Sequence, residues 1–244
     1  MDYDFAAKVV LLVTNGSKKS PDCFTYSKSS TSRKIKQYTI MTDSKLVTFQ
    51  ISSEAKAIDS SIQVAEIEVY HNVSGIAQAR MILLAGDNVP QLVDSPAFET
   101  GKRLEIKLGY DQADQSIFAG IIASQNLYVE PGQGAAFEVI CEALTEIKTT
   151  SLADLQKLKP MEVLTYGDNI LACNIQSDPQ GDGQAEGAFK VFGNSVLVAG
   201  GVVAIYGLGK AFQGNHFLSS VSHHVANGQW VTDINIGGMD EEAQ

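Results

Sequence analysis

Four histidines, three cysteines and a set of carboxylates on alternating segments are the residues of this 244-residue chain that could hold a metal or move a proton. His223 and His224 are adjacent in a run patterned like a strand, so they point to opposite faces and cannot easily share one ion. His71 and His216 have no partner at ligand spacing. Cys23, Cys141 and Cys173 are far apart and form no CxxC pair, which argues against a structural zinc and against a disulfide framework. Cys141 continues the alternation Phe137, Val139, Cys141 and reads as a small buried hydrophobe. Glu105, Glu138 and Glu142 fall on the polar side of their segments, and nothing selects two of them as an acid–base pair. Gly207-Leu208-Gly209-Lys210 has the flavour of a phosphate loop. The full motif needs Gly at Ala204 and Ser or Thr at Ala211, so the glycines read as a tight turn. No serine occupies a Gly-x-Ser-x-Gly elbow. The expectation is a non-catalytic chain with no cofactor and no metal.

The segments carrying these residues are overwhelmingly strand-like. Leu104, Ile106 and Leu108 alternate with charged or small residues, and Trp230, Thr232, Ile234 and Ile236 do the same. Further β-rich runs cover Val9–Thr14, Leu46–Ser52, Glu66–Val73, Ala79–Leu84, Ile117–Val129 and Phe217–Val225. Asn227-Gly228 between two such runs is a hairpin signal. Leu152, Leu155 and Leu158 suggest a helix of a turn or two, stopped by Pro160, and Asp178–Gly187 reads as linker.

A net charge of −10 argues against nucleic acid as a partner. No apolar run is long enough to cross a bilayer, and none near the start reads as a signal-peptide core, so the chain is expected to be cytoplasmic when made. Charge is uneven, however. Lys18, Lys19, Arg33, Lys34 and Lys36 lie in a Ser/Thr-rich stretch that reads as a solvated loop, or as a contact for an acidic neighbouring subunit.

An internal repeat is the most informative feature. A gapless shift of 99 residues lays Gly101 on Gly200, Leu104 on Val203, Ile106 on Ile205, Phe118 on Phe217 and Ile122 on Val221. Beyond a hairpin, Phe137-Val139-Cys141 then matches Trp230-Thr232-Ile234. The chain therefore reads as all-β, with two related small β-barrels and little helix. The first covers residues 1–148, a connector runs over 149–188, and the second with a tail covers 189–244.

Several segments resemble, in order, the hubs of VgrG-type spikes and phage late-control D proteins. They are Ile67–Asp87 with its Ile76-Ala77 pivot and Ala79-Arg80 strand, Phe98–Tyr110 followed by Ile117–Ile122, the Tyr166-Gly167-Asp168-Asn169 junction, Ile205–Asn215, Ser219–His223, and Asn227–Trp230. The resemblance implies a homotrimer whose six barrels match a sixfold tube to a threefold spike tip. Its partners would be an Hcp-like tube protein, tip and baseplate subunits, with no membrane insertion of its own and export as part of the particle. Relatives carry a small helical domain and further strands where this chain has Leu144–Met161 and Ala172–Gly187, so it reads as a shortened hub. Ile117–Ile122 is apolar on both sides, which places Ile117, Phe118, Ile121 and Ile122 at the expected subunit interface. A non-catalytic carbohydrate- or protein-binding β-sandwich is the alternative.

Overall fold

Alternation translates into strands almost wherever it occurs. The computed structural model describes residues 9–10, 45–85, 89–130, 134–144, 158–177 and 185–237. The first strands are β1 (Val9–Val10), β2 (Val47–Ser53), β3 (Lys56–Ala57), β4 (Gln63–Asn72) and β5 (Gln78–Leu84). A short helix α1 (Val89–Val93) and a 3-10 turn at Pro96–Phe98 follow. Then come β6 (Arg103–Tyr110), β7 (Gln115–Glu130), β8 (Gly134–Ala143), β9 (Glu162–Thr165), β10 (Ile170–Ser177) and β11 (Ala185–Phe192). The chain closes on β12 (Val202–Tyr206), β13 (Gly214–Ala226) and β14 (Gln229–Ile236). In β6 the alternation is exact in its effect, with Leu104, Ile106 and Leu108 buried and the intervening residues half-buried or exposed. The β13–β14 hairpin turns through Asn227 and Gly228, both at positive φ as a type I′ turn requires.

The path of hydrogen-bonded neighbours runs β1-β2-β6-β7-β8-β5-β4-β13-β14-β11-β10, with β12 joining β13 and β9 joining β12. Two apolar cores sit against it. One gathers Phe49, Ile67, Met81, Phe98, Ile106, Phe137 and their neighbours, and the other Leu164, Phe189, Leu197, Ile205, Leu218 and Ile234. β2 and β4, at the two ends of the first set, line one apolar seam without sharing a ladder, so that sheet curls around its core. The fold is all-β and barrel-like.

Duplication is visible in the strand order. The path β6-β7-β8-β5-β4 in the first unit is β12-β13-β14-β11-β10 in the second. Fine geometry repeats as well. Gly101 N–H donates to Ile122 O at 2.8 Å and Ile122 N–H to Lys102 O at 2.9 Å. Gly200 N–H donates to Leu218 O at 2.8 Å and Leu218 N–H to Gly201 O at 2.9 Å. Gly101 and Gly200 have φ of 88° and 87°. A bulge between Ile122 and Ser124 recurs between Leu218 and Ser220, and one between Val64 and Glu66 recurs between Ile170 and Ala172.

These bulges correct the 99-residue register. It holds through β6 and β12, but Ile122 takes the place of Leu218 and not of Val221. Ile106 pairs with Phe118 and Ile205 with Gly214, so the second turn is three residues shorter. By the same ladders Phe137, Val139 and Cys141 match Thr232, Ile234 and Ile236. The copies also differ at one slot, where β2 runs antiparallel to β6 but β9 runs parallel to β12.

Within 149–188, read as connector, lie β9, β10 and the start of β11, and Leu164 and Ile170 from this stretch are buried in the second core. Ala185–Gly187, read as the end of a linker, already pairs with β10, and Gly187 also with Ile236 of β14. The helix expected around Leu152 and Leu155 falls outside the described residues.

Gly101→Ala and Gly200→Ala should each destabilise the fold by about 1–2 kcal/mol, the cost of an L-residue at positive φ. Nothing lies within 4 Å of a Cβ at Gly101, so its cost is backbone strain alone. Urea unfolding checks this, with similar losses at the two sites and an unchanged m-value expected.

Candidate functional site, a strand joint and two open edges

The residues that organise this molecule lie where its two units meet. The first part of β13, Gly214–Phe217, pairs with β12 of its own unit. After the bulge at Ser219 the strand changes partner on that side, and Ser220–Ala226 pairs antiparallel with Asn72–Glu66 of β4. Seven residue pairs make the ladder, from Ser220↔Asn72 to Ala226↔Glu66.

Under this ladder lies a cluster of rings. His223 is 1% exposed, and its ring stands edge-on to that of His71 on β4, with centroids 6.3 Å apart. Nε2 of His223 donates to Leu197 O at 3.2 Å, which leaves Nδ1 to accept from the Thr232 hydroxyl at 3.0 Å. His71 Nε2 donates to Ile117 O at 3.0 Å and so ties β4 to β7. Burial holds both imidazoles neutral, lowering His71 and bringing His223 down to about 4. Trp230 packs 5.9 Å from His223 and stacks on Tyr110 of the first unit at 5.2 Å, burying second-unit area in the first core.

On the outward face a polar belt crosses the same strands. His224 lies 3.3 Å from Glu66, Glu66 accepts from Arg80 at 3.1 Å, and Arg80 Nε donates to Glu138. Asn126 and Tyr128 on β7 donate to the other Glu138 oxygen at 2.8 and 2.9 Å. The Asn126 amide, the Arg80 guanidinium and the Tyr128 hydroxyl hold the Glu138 carboxyl below its ordinary value, against the opposing effect of burial. Glu138 is on the polar face as its alternation requires, yet this cluster covers it to 5% exposure, which the sequence did not indicate. His224 points away from its buried neighbour His223, as adjacent strand residues do.

Ile117, Phe118 and Ile122, read from sequence as subunit-interface residues, are 6, 3 and 0% exposed and belong to the chain's own first core, with Ile121 half-buried beside them. Bulges at Ile117 and Ala123 interrupt the alternation, which is why the run looks apolar on both sides. Exposure appears farther along the same strand instead. Leu127, Tyr128 and Val129 are 45, 51 and 65% exposed. Lys18, Lys19, Arg33, Lys34 and Lys36 lie outside the described residues. Cys141 is buried, with its thiol pushed up to about 12, and Cys173 is exposed on β10. The histidine pair has no third ligand, and no cluster of three or more His, Cys, Asp or Glu that could hold a metal occurs among the described residues.

With this geometry in view, the solved structures that match are informative. A tail protein from Neisseria meningitidis aligns with a TM-score of 0.53 at 8% identity, over 78% of this chain and 96% of that one. The 43 kDa tail protein of prophage MuSo2 from Shewanella oneidensis gives 0.51 at 7% identity, over 80% and 97%. The fold is similar to that of phage tail proteins. An Escherichia coli protein described as a component of the type VI secretion system, structurally similar to the T4 tail proteins gp27 and gp5, gives 0.53 at 10% identity, over 79% and 77%. In sequence, the Alg8 N-terminal domain family matches residues 43–154, the span of β2 to β8 and less than half of the chain. No curated protein sequence matches.

Two outcomes follow from the joint. As pH falls the unfolded chain takes up the His223 proton first, near 6.5, while the folded chain resists until about 4. Stability should be full above about 6.5 and fall through that window, at no more than about 1.4 kcal/mol per pH unit for one proton. Denaturant titrations followed by the fluorescence of Trp230, the single tryptophan, measure it. In Gly193→Ala, the new Cβ would stand 2.1 Å from the Trp230 ring. A red-shifted emission and a loss of about 1–3 kcal/mol are expected from this overpacking.

Proposed function

We propose that the chain is a structural, non-catalytic hub of a contractile injection system spike. Three copies would present six related β units to a sixfold tube and a threefold face to a spike tip. The observation that carries this reading is the repeated strand order, with its repeated bulges, in a single connected sheet of phage-tail-like fold. Two similar units per chain are what a threefold object needs in order to meet a sixfold one. On this reading the divisions of the chain are a first unit ending near residue 148 and a second unit whose own strands begin in the stretch after it.

An Hcp-like tube protein, a tip and baseplate subunits are the partners of such a hub. The basic stretch containing Lys18, Lys19, Arg33, Lys34 and Lys36 would suit an acidic neighbour among them. The hub would be made in the cytoplasm and leave as part of the particle. The Alg8 N-terminal domain match spans only the first unit, whereas the hub reading accounts for both. A carbohydrate-binding sandwich would display tryptophan on a flat face, and Trp230 is 3% exposed inside the joint.

Light scattering at micromolar concentration tests the proposal. A mass of three times 26.2 kDa is expected, and a mass of one chain across the concentration range overturns it.

A further inference from the structure

The chain contains one joint between units and, on two other strand edges, the two halves of a second. The bulges fix which residues correspond. With Ala123 matched to Ser219, Ser124–Glu130 of β7 takes the place of Ser220–Ala226 of β13. With Ala65 matched to Leu171, Ala172–Ser177 of β10 takes the place of Glu66–His71 of β4. β13 and β4 are paired with each other. Among the described residues, the corresponding side of β7 beyond Ile121 and that of β10 have no ladder partner over these stretches.

Exposure shows what the missing partner would do. Leu127 is 45% exposed where its counterpart His223 is 1%, and Val129 is 65% exposed where Val225 is 6%. On the other edge Cys173 is exposed where Ile67 is 1%, and Ile175 is half-buried where Val69 is 0%. An apolar, unpaired strand edge of this kind is a template for another strand.

We propose that β7 of one copy pairs antiparallel with β10 of the next, in the register that β13 and β4 use within the chain. Val225↔Ile67 becomes Val129↔Cys173, His224↔Glu68 becomes Tyr128↔Asn174, and His223↔Val69 becomes Leu127↔Ile175. Asn126 then faces Gln176, so none of these four pairs sets like charges against each other. The contact is head-to-tail, and its two halves differ. Each copy uses one edge on each side, and a closed ring leaves neither edge open. This assignment rests on the self-association in the hub reading and names the surface that makes it.

Directly opposed residues of an antiparallel pair have Cα atoms about 4.5–5.5 Å apart, within reach of a disulfide. The test is Val129→Cys in a Cys23→Ser background, oxidised with copper phenanthroline, with Cys173 as the native partner. The expected product is a covalent ladder ending at three chains that disappears when Cys173→Ser is added. Ser116→Cys, on the half of β7 that pairs with β6, should not cross-link. Leu127→Lys, exposed in a single chain, should shift the light-scattering mass toward one copy while Trp230 emission stays unchanged. A trimeric mass without the 129–173 bond, or with an equally fast bond from position 116, overturns this pairing and leaves the hub reading standing. A monomeric parent protein overturns both.

Discussion

A strand has two edges, and each backbone amide and carbonyl buried along them needs a partner. β13 meets this constraint by dividing one of its edges between two neighbours, β12 before Ser219 and β4 after it. Everything else in the arrangement of the two cores follows from that division. The bulge at Ser219 lets one strand leave its own unit and enter the ladder of the other. His223, Thr232 and Trp230 then fill the space beneath, where the imidazole is bonded by Thr232 and Leu197 O and the indole packs on its ring.

Much of this was legible in the residues. Alternation placed β6, β8 and β14, and the Asn227-Gly228 signal placed the last hairpin. The repeat was detectable because Gly101 and Gly200 keep the same positive-φ role in both copies. Its later register was not detectable, because a turn three residues shorter displaces β13 against β7 while leaving a plausible apolar match. β9 to β11 were hidden in a stretch rich in Gly, Asp and Gln, where turn signals outweigh the few apolar positions such as Leu164 and Ile170. Glu138 was assigned to the correct face but not to its burial, which depends on Arg80, Asn126 and Tyr128 arriving from two other strands. The two-sided look of Ile117–Ile122 has a related cause. Bulges are invisible to a period-two reading, so Ile117–Ile122 looked two-faced when it serves one core.

The two ladders across the outward belt show how a duplicated unit keeps a pattern while changing its residues. Glu138 corresponds to Asp233, and each carboxylate is met by a cation from the adjacent strand, Arg80 in one copy and Lys190 in the other. The first pair is the more enclosed and has extra donors, whereas the second is about half exposed and contributes little. Electrostatic care is concentrated on the unit whose β7 edge is open.

Covalent continuity gives the β13–β4 joint a property that no contact between separate chains can share. Its closure is unimolecular, governed by an effective concentration that dilution cannot lower. It is also chemically marked, since the positions of His223 and Trp230 are held by Leu127 and Ala135 in the other copy. A folding chain therefore meets its own partner strand before any foreign one, and the ring system beneath it rewards only that choice. Duplication followed by divergence has left the two copies of this edge chemically unlike, with the ring system placed under the internal joint.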